Sequence, residues 1–409
     1  MSLQFITGNS GNGKTKYLFN RIVKEAKANP RDNYLVIVPE QFTMQTQRQL
    51  VDLSENKAIM NIDVLSFKRL AYRVFDELGI TNLTVLEETG KNLVLRKLAA
   101  QEADKLGVIG RNLNRIGYIS EVKSLLSELV QYNISPEELG RYIASGRLSD
   151  TLSDKLKDVL VLYEAFEKFM QDKYITAEEI LNVLSNVAEE SAILRNSVIA
   201  FDEFTGFTPI QNQLIKKLFV ISKKIYVTLT IDCREDIFKS IGMQELFDMP
   251  KRTVKSLTEM AAFYGIEVEE PIILDKNYRL AENEELSFME QQLFRKRRCS
   301  LKKAPKHIHI DCLRDPKQEL TKIARRINEL VRNENLRYRD IAIVTGDVNI
   351  YAGYVREIFD KYNIPYFIDA TQEILFHPFI EFIRSIPDIA AQNFSADAVF
   401  RFLRCGFSE

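Results

Sequence analysis

The densest chemistry in the sequence lies at Gly8-Asn9-Ser10-Gly11-Asn12-Gly13-Lys14-Thr15, where a glycine-rich run closes on a lysine and a hydroxyl. The string fits GxxxxGK(S/T) at every fixed position. Glycines let successive backbone N–H groups turn inward around phosphate oxygens. Lys14 supplies a point charge for β- and γ-phosphates, and the Thr15 hydroxyl suits Mg2+. Four specified positions match by chance in a chain this long at about the one-per-cent level. Context strengthens the match. Leu3 to Ile6 reads as a short apolar strand and Lys16 to Ala28 as a helix, whose N-terminus adds partial positive charge beside bound phosphate. The expected ligand is a nucleotide, ATP with Mg2+.

A second acidic signal answers the first. Asp202-Glu203 directly follows the apolar run Val198 to Phe201. At such a strand end the aspartate meets the water shell of Mg2+ and the glutamate orients an attacking water. Asp202 and Glu203 are therefore the candidate catalytic pair, and Thr15 with Asp202 the candidate metal contacts. A solvent-facing acidic pair is the bland alternative; the earlier phosphate loop argues against it.

The bulk composition narrows the class. A chain of 409 residues exceeds one ordinary core, so two or three domains are expected. Its net charge of −1 gives no overall basic field, and any nucleic-acid surface must be local. Cys233, Cys299, Cys312 and Cys405 lie far apart with no CxxC pair, which reads as reduced cytosolic thiols rather than a zinc or iron–sulfur site built from this chain alone. His307 and His309 alternate on an expected strand and read as structural. No stretch reaches the ~18 continuous apolar residues of a membrane span, and no signal peptide precedes the loop. A soluble, cytoplasmic bacterial protein with no membrane partner is the expectation. The last residues stop just after an amphipathic helical pattern, which suggests a piece of a longer protein.

These residues need a frame to position them. Tyr34 to Val38 is an apolar run of the kind buried on both faces of a parallel sheet, and Asp63 to Phe67 reads as a further strand before a helix from Lys68 to Leu78. Strands alternating with helices indicate a doubly wound α/β architecture. From residue 84 to 194 the apolar residues recur at three and four spacing, as in Leu125-Leu126-Leu129-Val130, which marks a helical insertion. The sheet resumes at Val198 to Phe201 and Ile225 to Thr230. The expected organisation is a first domain over 1–83 and 195–294, interrupted by the insertion, then a basic linker at 295–306 and a second α/β domain starting at 307–409. Arg295, Lys296, Arg297, Arg298, Lys302, Lys303 and Lys306 lie in or beside that linker without an acid among them. Such a run is a solvated tether or a phosphate-backbone contact. In the second domain, Ile308 to Cys312 and Ile341 to Val344 read as strands flanking a helix from Gln318 to Asn333.

Three further strings give the frame a family. Asp202 to Gln211 resembles the DExQDxxxxQ signature of superfamily-one DNA helicases of the UvrD type. Ile231 to Phe238 stands where that class carries GDxxQSIY, and Leu274-Asp275-Lys276-Asn277-Tyr278-Arg279 is similar to LxxNYRS. The resemblance implies a RecA-like P-loop NTPase fold and adds Arg279 to the nucleotide contacts. The departures matter as much. Thr205-Gly206 replace the motor's Gln-Asp, and Glu235 replaces the amide that senses the γ-phosphate. A carboxylate there is expected to repel that phosphate.

VPEQFTMQTQRQL, VLSFKRLAYRVF, FDEFTGFTPIQ and YNIPYFIDATQEILFHPFIEFI closely resemble the AddB family over the whole chain. That family implies one subunit of a bacterial ATP-dependent helicase–nuclease that processes double-strand breaks for homologous recombination. Its partner is the AddA-type motor subunit. Its substrates are double-stranded DNA ends and the emerging single strand, which it scans for the Chi sequence. The resemblance also implies a nuclease domain with a 4Fe–4S cluster in a carboxy-terminal part that this sequence does not contain, so no nuclease activity is expected of it. Gln41, Thr43, Phe67, Arg69, Tyr72 and Phe207 match the strand-contacting positions. Aromatics stack on unpaired bases, while Arg and Gln read base edges; for Phe67 and Tyr72 a core role competes. The resulting expectation is a nucleotide-binding, DNA-reading module that is not itself the motor. The alternatives are an active helicase translocating on single-stranded DNA, which Thr205, Gly206 and Glu235 oppose, and a structural subunit with a relic site, which the intact loop opposes.

Overall fold

The computed structural model describes the chain from 1 to 409 except residues 82–83, 109, 111–116, 147, 172, 241, 296–298, 370–373, 375–376 and 408–409. It divides into two compact units, Met1–Ala304 and Pro305–Glu409.

The first unit is built on one parallel sheet. β1 (Ser2–Gly8), β2 (Tyr34–Ile37), β3 (Ile62–Leu65), β6 (Val198–Phe201), β7 (Lys224–Thr230), β8 (Glu267–Val268) and β9 (Ile272–Leu274) run in the order β3-β2-β6-β7-β1-β8, with β9 also on β1. Every one of these pairings is parallel. The period-two alternation of each apolar run divides it between two cores. Leu3, Phe5, Leu35, Ile37, Ile199 and Phe201 pack on one face with α3 (Phe67–Leu78), α9 (Pro209–Ile221) and α10 (Asp248–Phe263). Ile6, Tyr34, Val36, Val198 and Ala200 pack on the other with α1 (Lys14–Ala28) and α2 (Thr43–Leu53). Because the strands are parallel, their carboxyl ends lie along one edge, and Gly8, Pro39, Ser66, Asp202 and Ile231 all lie at or just past strand ends there.

Between β3 and β6 the chain makes a separate helical core from α4 (Glu88–Gln101), α5 (Tyr118–Gln131), α6 (Pro136–Ala144) and α7 (Asp150–Met170). Its base is a two-residue ladder of β4 (Val85–Leu86) with β5 (Ile175–Thr176), short strands that the helical spacing of the sequence conceals. Residues 176–194, assigned to the insertion from sequence, carry α8 (Ile180–Val187). Its Ile180 and Leu184 are buried against the main sheet's core. After β9 the unit ends with α11 (Glu284–Gln292).

In the second unit, α12 (Pro316–Asn333) and α13 (Val348–Lys361) share a core of Leu320, Ala324, Ile327, Ile358, Phe359 and Ile364, and α14 (Pro378–Ala391) pairs with α15 (Ala396–Arg404). The expected strands at Ile308–Cys312 and Ile341–Val344 do not form: among the described residues this unit has no strand. A strand exists only as one side of a ladder, and neither segment has a partner. Ile310 and Val344 are accordingly 94% and 92% exposed. His307 and His309 are not buried either, so the structural role expected of them has no core to act in.

Candidate nucleotide site

The loop from Gly8 to Thr15 joins the end of β1 to the start of α1, the connection the motif requires. Gly11 (φ 89°) and Gly13 (φ 81°) hold left-handed backbone that a side chain would strain, and a Cβ on Gly11 would lie 2.8 Å from both Arg279 Cβ and Asn277 Oδ1. Lys14 folds back over the loop and donates to the Gly8 and Asn9 carbonyls, each at 3.0 Å. Burial lowers the Lys14 pKa, opposed by Glu203 and Asp202 nearby. The ammonium thus occupies the hollow of the loop with two neutral carbonyl oxygens as partners.

Facing it, Asp202 is 1% exposed at the tip of β6. Thr228 of β7 donates its hydroxyl to Asp202 Oδ1, whereas Asp202 Oδ2 is buried with no hydrogen-bond partner. Burial raises the Asp202 pKa, the Thr228 bond opposes this, and the Glu203 charge adds to it. A buried carboxylate beside a second carboxylate is an oxygen set whose chemistry suits a cation. The Thr15 hydroxyl donates to Glu203 Oε1 at 3.3 Å, so Thr15, Asp202 and Glu203 converge. Oxygen donors of this kind fit Mg2+, which keeps most of its waters and takes one or two protein ligands. Glu203 itself sits at φ 64°, a left-handed conformation costing on the order of 1 kcal/mol that clusters at functional sites.

A cavity of about 790 Å3 opens between these groups, lined among others by Gly13, Lys14, Thr15, Asp202, Glu203 and Arg279. Its walls include residues the sequence reading missed. Gln45 and Gln49, four apart on α2, present one helix face to it. Tyr278 is 65% exposed, its ring edge 3.6 Å from where a Cβ on Gly13 would be, with the Lys276 ammonium 5.0 Å from the ring centre. The NYR string contained it, and an exposed aromatic beside a phosphate loop was the available signal. Arg279 Nη1 donates to Ser10 Oγ at 3.3 Å, Asn277 Nδ2 to the Ser10 carbonyl at 2.9 Å, and the Tyr278 N–H to the Gly11 carbonyl at 3.0 Å.

Asn9 and Asn12 serve the loop's framework with their side chains. Asn9 Nδ2 donates to Glu290 Oε1 of α11 at 2.7 Å, its Oδ1 accepts from the Cys233 N–H at 3.0 Å, and Asn12 Nδ2 donates to the Leu274 carbonyl at 2.5 Å. Glu235, expected to repel the γ-phosphate, is held elsewhere. Instead of facing a phosphate, Glu235 Oε2 pairs with the buried Lys251 Nζ at 2.7 Å and lies outside the cavity lining. Nearby, Asp232 is gripped by Arg234 and Arg295, each at 2.6 Å. Arg295 of the basic stretch is thereby a structural residue; Lys296, Arg297 and Arg298 lie outside the described residues.

The six strand-contact candidates separate by burial. Gln41, Arg69 and Tyr72 are exposed. Thr43 is buried and donates to the Glu40 carbonyl at 2.9 Å. Phe67 is 7% exposed, in a cluster with Phe201 (5.8 Å between ring centres), Phe204 (5.6 Å) and Phe207 (6.4 Å), and Phe207 is half-buried. In this conformation neither Phe67 nor Thr43 offers a surface to a base; the packing of α3 onto the sheet claims them first. Among the described residues no group of three His, Cys, Asp or Glu converges as a metal cluster would, and no helix is long and apolar enough to cross a membrane.

Fold and site together define the class: a mainly parallel α/β domain with a glycine-rich loop at one strand tip facing a buried acid at another. Residues 5–290 match the family described as "ADDB, N-terminal". Over 414 residues the chain is 38% identical to an ATP-dependent helicase/deoxyribonuclease subunit from Lachnoclostridium phytofermentans, covering 100% of this chain and 36% of that protein. The namesake proteins of Clostridium tetani (33% over 413 residues; 99% and 36% covered) and Clostridioides difficile (33% over 413; 99% and 35%) are similar along the same extent. The chain belongs to the AddB family, and it spans about 36% of the length of these curated relatives.

Proposed function

We propose that this chain is the nucleotide-binding, helicase-like part of an AddB-type subunit of an ATP-dependent helicase–nuclease acting on DNA ends in recombinational repair, with a RecA-like P-loop core and an AddA-type motor subunit as partner. The observation that carries the nucleotide reading is the buried Asp202, with its orphaned oxygen, set across a cavity from the Gly8–Thr15 loop. ATP would lie with its phosphates in the loop. Lys14 would leave the Gly8 and Asn9 carbonyls for phosphate oxygens, Arg279 would leave Ser10 for the terminal phosphate, and Tyr278 offers a ring face to the base. Mg2+ would be held by Thr15 and Asp202, supplying charge neutralisation of the phosphates.

Binding without drive is supported by the segment after Glu203. The Thr205 carbonyl accepts from Thr253 Oγ1 at 3.1 Å, and a Cβ at Gly206 would come within 3.2 Å of the same hydroxyl. An aspartate there, as motors carry, meets occupied space. Phe204 and Phe207 further anchor the segment 5.3 Å apart in the aromatic cluster. For single-stranded DNA, the exposed Gln41, Arg69 and Tyr72 form the contact surface and the Phe67 cluster its floor. The test is ATP turnover with single-stranded DNA added: turnover well below the motor range of about 1–10³ s⁻¹ is expected. A rate within that range, abolished by Lys14→Ala, would establish the motor reading instead.

A further inference from the structure

Building on the single-strand reading above, we infer that Glu40 is the positioning residue that makes Arg69 a base reader rather than a phosphate contact. Glu40 opens the single helical turn Glu40–Phe42 that follows β2 and Pro39. Its two oxygens are used by two different residues: Ser66, the N-cap of α3, donates its hydroxyl to Oε2, and Arg69 donates Nε to Oε1 at 2.8 Å. Ser66 Oγ in turn accepts the Arg69 N–H at 3.3 Å. The carboxylate is therefore pinned between the tips of β2 and β3, and it pins the guanidinium through one edge only.

The consequence lies in what remains free. A guanidinium carries five donors in a planar fork. With Nε committed, the two terminal amino groups of Arg69 have no hydrogen bond to the described residues, and the side chain is 51% exposed. The planar guanidinium spaces these two groups for two acceptors in one plane. The guanine N7 and O6 edge is the base feature of that form, and one such pair discriminates bases by about 1–3 kcal/mol. Glu40 also neutralises the cation, which weakens its general pull on phosphates. The Glu40 pKa is lowered, first by the Ser66 bond, which favours its carboxylate form. Gln41 is exposed beside it, and Tyr72, 38% exposed, lies one helical turn beyond Arg69 to stack on a neighbouring base.

The experiment measures binding of the 409-residue chain to two fluorescent single-stranded oligonucleotides of equal length, one rich in dG and one with every dG replaced by 7-deaza-dG. The pair differs at N7 and not in phosphate charge. Wild type is expected to prefer the dG strand about tenfold. Arg69→Ala and Glu40→Ala should both collapse that ratio to near one, with Glu40→Ala binding the deaza strand at least as tightly as wild type and with a salt slope no smaller, because the freed guanidinium pulls harder on phosphates. Glu40→Gln, which retains an acceptor, should recover part of the preference. Ser66→Ala loosens the same junction but leaves the Glu40–Arg69 pair, and it should hold the ratio within about twofold. A preference surviving in Glu40→Ala, or absent from wild type, overturns the inference while the single-strand reading stands. If Arg69→Ala weakens both strands equally and lowers the salt slope by about one, Arg69 is a phosphate contact and the inference is likewise wrong. Failure of wild type to bind either strand removes the single-strand reading and this inference together.

Discussion

Along one edge of the sheet the chain builds two strand-tip regions by opposite rules. At the tips of β1 and β6 it removes side chains. Glycines at 8, 11 and 13 open the backbone, an oxygen of Asp202 goes without a partner, and a cavity of about 790 Å3 remains. At the tips of β2 and β3, next along the edge, it fills all available space. Phe67 and Phe201 stack with Phe204 and Phe207 around them, and Glu40 spends both oxygens on Ser66 and Arg69. The first region is open as folded, and its lysine and carboxylates line the cavity. The second is closely packed, and only its outer rim, with Gln41, Arg69 and Tyr72, is exposed. Residues 203–207 join the two, since Glu203 faces the cavity and Phe204 belongs to the cluster.

The largest effect should come from the filled region. Phe67→Ala removes a buried ring from four-way aromatic packing and is expected to destabilise the first unit by about 3–5 kcal/mol. Chemical denaturation would check it, and a loss under about 1 kcal/mol would mean that the cluster is loose enough to open for a base. At the open region, Lys14→Ala should leave folding intact but remove ATP-dependent stabilisation, about 2.7 kcal/mol at a hundredfold excess over the dissociation constant.

A third effect is set by pH. Burial works to raise the Asp232 pKa, but the Arg234 and Arg295 bonds outweigh it and hold the carboxyl at about 2, below its ordinary 3.8. A lowered folded pKa gives stability that is present above the ordinary value and lost as pH falls through the folded one. Melting temperature should therefore decline between about pH 4 and pH 2, and Asp232→Asn should flatten part of that limb. The smallest effect belongs to Glu235→Gln. Because Glu235 faces Lys251 and not the cavity, nucleotide affinity should change by less than about twofold; a tenfold gain would restore the repulsion argument.

The comparison also separates what the sequence could reveal from what it could not. The open region was legible because its chemistry is local: a short strand, a glycine-rich loop and the start of a helix are contiguous, and Asp202 is named by the strand before it. In the filled region the sequence left Phe67 open between core and strand contact and did not anticipate the burial of Thr43, because burial depends on neighbours far along the chain, Phe201 and Phe204 among those of Phe67. Glu235 was misjudged for a related reason. Its partner Lys251 lies well beyond any helical or strand period, and a charge pattern alone does not say which way a carboxylate turns. The apolar runs at Ile308 and Ile341 had the composition of strands, but composition cannot supply the ladder partner that makes one.

The central claim is that the open region is a working clamp for ATP with Mg2+. The most direct measurement is the melting temperature of the chain with and without saturating ATP–Mg2+, run beside Lys14→Ala. A rise of about 4 °C in wild type and none in the variant is expected. No shift in wild type, or an equal shift in both, would contradict it.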